Sequence, residues 1–141
     1  MLDATRQLQT ALKERGYSLT RARLAVFTAL QGEEPQTIRE LTIKVGSTAD
    51  RSSLYRAISL FEKLDIVQRL QIGWKYKLEL SAAFSYHHHH LSCIDCGLTI
   101  AIKEDSGLEK RINAVATAKN FHSTDHLLEI RGRCPKCHKK K

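Results

Sequence analysis

RSSLYRAISLFEKLDIVQRLQIGWKYKLEL, residues 51–80, is the stretch whose reading decides the fold. Its first half has helical periodicity, with Leu54, Ile58, Phe61 and Leu64 or Leu60 lining one side, and Asp50 or Ser47 in place to cap the start. The period then changes. IVQRLQI, Gly73 and WKYKLEL alternate so that Trp74, Tyr76, Leu78 and Leu80 share one face, which is what a β-hairpin requires. A helix followed directly by a hairpin reads as a recognition helix followed by a wing.

Upstream, the apolar positions Ala4, Leu8, Ala11 and Leu12 form a helical stripe that stops at Gly16. A second stripe, Leu24, Phe27 and Leu30, follows Thr20 as N-cap and ends near Gly32. Thr37 to Glu40 has the capping-box pattern, and Ile38, Leu41 and Val45 continue it to Gly46 as a short third helix. Only a brief turn separates that helix from the one after Asp50, so the two form a helix-turn-helix whose second member enters the DNA major groove. Its outer face offers Arg51, Ser52, Ser53, Tyr55, Arg56 and Ser59, with no acidic residue before Glu62. Arginine pairs bidentately with guanine, tyrosine meets thymine methyls or phosphate, and serine bonds phosphate oxygens. Arg69, Lys75 and Lys77 of the hairpin are expected to project toward the DNA backbone.

Downstream of the hairpin the chemistry changes. Cys93-x-x-Cys96 and Cys134-x-x-Cys137 are two knuckles, one followed by Gly97 and the other holding Pro135, and their spacing is that of a tetrahedral four-thiolate zinc site, with a redox dithiol or an iron-sulfur cluster as the alternatives. Just before the first knuckle stands the run His87 to His90. If HHHHLSC is a strand, alternation puts His87, His89, Leu91 and Cys93 on one face and His88, His90 and Ser92 on the other. One strand then supplies two ligand pairs. His126 and Glu109 are the best partners for His87 and His89, with His122 behind them. TIAIK reads as a short strand. A helix from about Ser106 has Leu108, Ile112, Val115, Ala116 and Lys119 on its buried side, and STDHLLEIRG reads as a strand in which His126, Leu128 and Ile130 alternate.

Composition limits the partners. The chain has 141 residues, 42% of them hydrophobic, so it builds one ordinary domain or two small ones, and aromatics at 6% leave two half-size cores thin. A net charge of +8 favours a polyanion, with double-stranded DNA first. There is no run of apolar residues long enough for a membrane helix and no signal-peptide pattern at the N-terminus, so a cytoplasmic protein is expected, where paired Cys-x-x-C motifs serve as metal ligands rather than disulfides. A zinc deaminase or hydrolase would need an H-x-E beside P-C-x-x-C; no H-x-E occurs, and Pro135 lies inside its knuckle. A zinc-stapled interaction or storage module that does not read DNA is the third class, and it makes Tyr55 and Arg56 dispensable.

The segments LTRARLAVFTAL, SSLYRAISLFEKLDIV, HHHHLSCIDCG and STDHLLEIRGRCPKC, in this order and spacing, make the chain similar to the ferric uptake regulator family of bacterial metal-responsive repressors over essentially its full length. The resemblance implies an α+β chain with a winged-helix DNA-binding domain at 1–80 and a small α/β dimerisation domain at 81–141. It implies a homodimer on palindromic operator DNA with metal as corepressor. It places Tyr55 and Arg56 at the family's groove-contacting pair, and Lys13, Arg15 and Arg23 among the DNA contacts. It implies structural zinc at Cys93, Cys96, Cys134 and Cys137, and a further site at His87, His89, Glu109 and His126. His88 and His90, with Glu79 and Glu34 (or Glu33), are implied as the interdomain sensory set. The second metal is Fe2+, Zn2+ or Mn2+. Two positions depart from the family: EEPQT, with Pro35 and Gln36, stands where a histidine precedes the third helix, and Lys77 stands where a glutamate follows the wing tyrosine. The alternatives are therefore a zinc-stapled DNA-binding dimer with a degenerate sensory site, or a zinc-, manganese- or peroxide-responsive member.

Overall fold

A computed structural model of the chain describes residues 3–32, 34–72 and 75–140. Glu33, Gly73 and Trp74, which enter the expectations above, lie outside the described residues. The chain forms two compact units, residues 1–86 and 87–141. None of the described helices is long and apolar enough to cross a membrane.

The first unit is built from α1 (Ala4–Glu14), α2 (Arg21–Leu30), α3 (Ile38–Val45), α4 (Arg51–Lys63) and the hairpin β1 (Val67–Ile72) and β2 (Lys75–Leu80). Each helix starts where a side chain accepts an otherwise unsatisfied backbone N–H: Asp3 from Thr5, Thr20 from Arg23, Thr37 from Glu40 and Asp50 from Ser53. At α3 the reciprocal half is also present, with the Thr37 N–H donating to Glu40 Oε2 at 2.7 Å. Thr37→Ala is expected to destabilise this unit by about 1 kcal/mol in urea unfolding, a loss that a merely solvated threonine would not produce. Gly46 ends α3 at φ 57°, in the left-handed region where glycine meets no Cβ penalty.

Leu8 and Leu12 of α1, Val26, Phe27 and Leu30 of α2, and Leu41 and Val45 of α3 close over Leu54, Ala57, Ile58 and Phe61 of α4 as one apolar core. The hairpin joins it through Val67, Leu78 and Leu80. An isolated bridge fastens β2 to the segment before α3: the Gln36 N–H donates to the Leu78 carbonyl at 2.8 Å, and the Gln36 carbonyl accepts the Leu78 N–H at 2.7 Å. The Gln36 side chain adds a bond to the Ala29 carbonyl at 2.7 Å. Residues 81–86, which the sequence reading places with the second domain, pack on this unit. Phe84 meets Phe27 edge-to-face with centroids 5.8 Å apart, and Gln7 donates to the Ala83 carbonyl.

The register corrects one expectation about the wing. Arg69 pairs opposite Leu78 and therefore lies on the same side of the hairpin as Val67, Tyr76 and Leu80, while Lys75 and Lys77 lie on the other. Its guanidinium stacks over the Tyr76 ring at 4.3 Å and bonds Glu62 Oε1 at 2.6 Å, so it braces the hairpin against α4 from the side opposite Lys75 and Lys77.

The second unit has a three-stranded sheet in the order β4-β3-β5, from β3 (His88–Cys93), β4 (Thr99–Lys103) and β5 (Glu129–Gly132), plus α5 (Ser106–Ala118) and the single turn α6 (Pro135–His138). β3 is central, antiparallel to β4 and parallel to β5. Two expectations change here. The final strand is short, covering Glu129–Gly132: the Leu128 carbonyl still accepts the His90 N–H at 3.4 Å, but the His126 N–H goes to the Asp125 carboxylate at 2.7 Å instead of to β3. On α5, Leu108, Ile112 and Ala116 are half-buried, but Val115 is 71% exposed and Lys119 is exposed as well. Cys93 is the one buried residue of hydrophobic type described in this unit, and its other buried residues, His89, His90, Ser92 and Thr99, are polar. Small sheets of this kind need a staple.

Candidate metal centre and DNA-reading face

The two knuckles come together where β3 ends and α6 begins. After Cys93, Gly97 turns back at φ 75° and its N–H donates to the Cys93 carbonyl at 3.0 Å. Pro135, with its fixed φ and no N–H to lose, opens α6 directly after Cys134. Arg133 bonds Asp95 at 2.8 Å, tying one knuckle to the other. The four Sγ atoms lie within 4.8 Å of one another, with Cys96 and Cys134 at 3.7 Å. A tetrahedral ion with metal–sulfur bonds of about 2.3 Å needs sulfurs roughly 3.8 Å apart, so the cage fits zinc.

Electrostatics point the same way. Backbone N–H groups of Cys134 and Cys96 pull the Cys93 thiol down to about 6, and the Cys137 backbone lowers Cys134. Cys137, facing the Cys134 sulfur, is pushed up to about 12. Donors that favour thiolates are gathered where the thiolates repel one another, and a divalent cation resolves that conflict by replacing the proton.

A second cluster sits at the other end of β3. His87 enters the strand, His89 lies on it with 1% of its surface exposed, Glu109 is in the first turn of α5, and His126 is on the segment before β5. The Glu109 carboxylate gathers them: Oε1 is 2.6 Å from His89 Nε2 and 3.4 Å from His87 Nε2, and Oε2 is 3.1 Å from His126 Nε2. His87 and His126 Nε2 are 3.0 Å apart. Burial would raise the Glu109 carboxyl, but the His89 hydrogen bond and the imidazoles of His126 and His87 outweigh it and hold the group below its ordinary value. Three nitrogens and a carboxylate oxygen this close fit one divalent ion with bonds of about 2.0–2.2 Å.

The remaining expected ligands belong to both units, and each is described within its own. His88 and His90 project to the other side of β3, their rings 4.8 Å apart. In the first unit Glu79 is buried and accepts from Gln68 at 2.6 Å, while Glu34 is exposed. His122 is exposed on the segment after α5. Gln36, which with Pro35 stands in the segment where a histidine is expected, is buried; its backbone makes the bridge to Leu78 and its side-chain Nε2 donates to the Ala29 carbonyl.

In the first unit α4 turns its core residues inward and presents Arg51, Ser52, Tyr55, Arg56 and Ser59 outward, with Tyr55 40% exposed. The Arg51 guanidinium lies 5.8 Å from the Tyr55 ring centroid, and Arg56 is 3.3 Å from the Ser53 hydroxyl. Ser53 is half-buried. Lys13 and Arg15 are exposed at the end of α1. Arg23 donates to the Ser18 carbonyl and lies over Tyr17, a pair of contacts invisible in the sequence.

The model of the ferric uptake regulator family matches residues 14–131. This chain belongs to the ferric uptake regulator family. The ferric uptake regulation protein of Vibrio vulnificus is 33% identical over 93% of this chain and 95% of its own, and that of Escherichia coli is 31% identical over 89% and 86%. The crystal structure of the Vibrio cholerae ferric uptake regulator superposes with a TM-score of 0.71 at 32% identity, covering 90% of this chain and 99% of that one. A ferric uptake regulator is a metal-responsive transcriptional regulator.

Proposed function

We propose that this chain represses transcription as a homodimer, with α4 of each copy in the major groove of a palindromic operator and divalent metal as the corepressor. The observation that carries this is the division of α4: Leu54, Ala57, Ile58 and Phe61 are buried on one side, and Arg51, Ser52, Tyr55 and Arg56 are exposed on the other. Lys75 and Lys77 of the wing, and Lys13 and Arg15 of α1, are suited to phosphate contacts that position the helix without reading bases. Arg23 would have to exchange its bond to Ser18 to join them. Such a protein acts by binding rather than turnover, and it works in the cytoplasm, where its operator is.

Dimerisation is supported by the apolar surface of the second unit. Leu91, Ile94, Ile100, Val115, Leu127 and Ile130 are all exposed on a unit that buries almost no apolar side chain of its own. A second copy covering them would supply the missing core. In each unit of the dimer, Cys93, Cys96, Cys134 and Cys137 would hold structural zinc, and His87, His89, Glu109 and His126 a second divalent ion, iron, zinc or manganese. His88 and His90, with Glu79 and Glu34 as oxygen donors, are proposed as the sensory set. Metal there would favour the DNA-binding arrangement of the dimer by its differential affinity for it, and by no more than that.

Operator binding by the zinc-stapled dimer, followed by fluorescence anisotropy during metal titration, tests this. Binding should tighten at least tenfold as metal is added, an order-of-magnitude coupling of about 1.4 kcal/mol. Tyr55→Ala and Arg56→Ala should each lose about 1–3 kcal/mol of operator affinity at unchanged metal content. A metal effect below about twofold would favour the second reading, a DNA-binding dimer whose sensory set is degenerate. One observation speaks for that reading: Gln36 serves as a structural clamp where the family offers a histidine ligand.

A further inference from the structure

The quartet of His87, His89, Glu109 and His126 differs in donor chemistry from a manganese site. Among the described residues of the cluster, Glu109 contributes the one carboxylate and the other three donors are imidazole nitrogens. Imidazole suits zinc, copper, iron and nickel, whereas manganese is served by carboxylate, carbonyl and water oxygens in an octahedral shell. Four protein donors already meet the coordination number of a tetrahedral ion. Two further oxygen ligands would have to approach where the His89 and Glu109 side chains are only 1% and 13% exposed.

The donors are also unequal in freedom. His89 lies on the central strand β3, opposite Ile102 of β4, with β5 pairing on the other edge of β3, so its imidazole is fixed by the sheet. His87 precedes the strand and is 30% exposed, and His126 lies on an irregular segment, so both can adjust to an ion. His89 is thus the rigid donor against which the others close.

Resting on the reading of this quartet as a metal site, we propose that it is a closed four-coordinate site selective for zinc-class cations over manganese, with His89 as the residue that sets the selectivity. With four protein donors, an ion bound there needs no substrate or signal ligand to complete its shell.

The test uses the full-length protein retaining its cysteine-bound zinc, loaded with one equivalent of cobalt(II). Four-coordinate cobalt gives intense visible d–d bands, and absence of near-ultraviolet sulfur-to-cobalt charge transfer shows that the ion is not on the cysteines. We expect intense bands, their stoichiometric loss on adding zinc, and survival of most of the signal in about a hundredfold excess of manganese. His89→Asp, which exchanges a nitrogen for an oxygen, should weaken the bands and improve manganese competition at least about tenfold. Weak six-coordinate bands in the unaltered protein, or ready displacement by manganese, would overturn the selectivity while leaving the metal site standing. Failure to bind any cobalt beyond the cysteine cage would overturn both. The spectrum of the unaltered protein decides the question even where the variant folds poorly.

Discussion

Cys134→Ser should leave the chain without its structural zinc and the second unit unfolded, with residues 87–140 losing protection from hydrogen exchange while the helices of the first unit keep theirs. The reason is the division of the core. The first unit closes fifteen buried residues, among them Phe27, Phe61 and Leu54, into a continuous apolar cluster. The second buries Cys93 and a set of polar side chains. Structural zinc in small domains contributes on the order of 10–16 kcal/mol of apparent binding free energy at neutral pH, comparable to the whole stability of a domain. Removing one of four thiolates forfeits much of it. Because the exposed apolar face of this unit is also the proposed dimer contact, the variant should sediment as a monomer or aggregate. Zinc analysis alongside sedimentation and exchange checks the expectation. One zinc per chain in a dimeric variant would show that three cysteines and the sheet suffice.

Phe61→Ala is the other large effect, and it falls on the first unit. Phe61 is fully buried on the core side of α4, in the apolar cluster that also holds Leu8, Phe27 and Leu41. Truncating it removes the transfer free energy of the ring and leaves a cavity, costing about 3–5 kcal/mol. That is a large share of a marginal stability, so the urea midpoint of the helical unit should fall sharply with zinc content unchanged. Operator binding would be lost through unfolding. Arg56→Ala, at an exposed position on the same helix, should lose operator binding with its unfolding midpoint unmoved, and the contrast separates scaffold from reading face. A Phe61→Ala midpoint within about 1 kcal/mol of the parent would mean that the core collapses around the gap.

What could be read from the chain alone followed the physics of each element. Thr20, Thr37 and Asp50 mark helix starts because capping is decided within four residues, and the change of period after Asp65 marks the wing because pleat and helix repeat differently. Alternation along HHHHLSC separates His87 and His89 from His88 and His90 for the same reason. Arg69 was misread because its side of the hairpin depends on the Val67–Leu80 register, which two alternating strands do not reveal individually. Val115 was misread because apolar periodicity says that a helix face is covered without saying by what; α5 leaves it exposed on its own unit. The strand expected through His126 shortened because one carboxylate, Asp125, competes for the backbone N–H. The role of Gln36 as a clamp is not legible in the sequence, because its backbone partner Leu78 lies far from it along the chain.

The strand from His88 to Cys93 joins every ligand set of the second unit through one pleat. Point substitutions there are separable in their effects, since each ligand side chain belongs to one cluster. A deletion or insertion of a single residue is not. Shifting the chain by one position would carry His87 and His89 to the side now held by His88 and His90 and swing Cys93 away from its knuckle. Among natural relatives and in mutational libraries, this stretch should therefore accept exchanges of residue type at fixed length while rejecting any change of length.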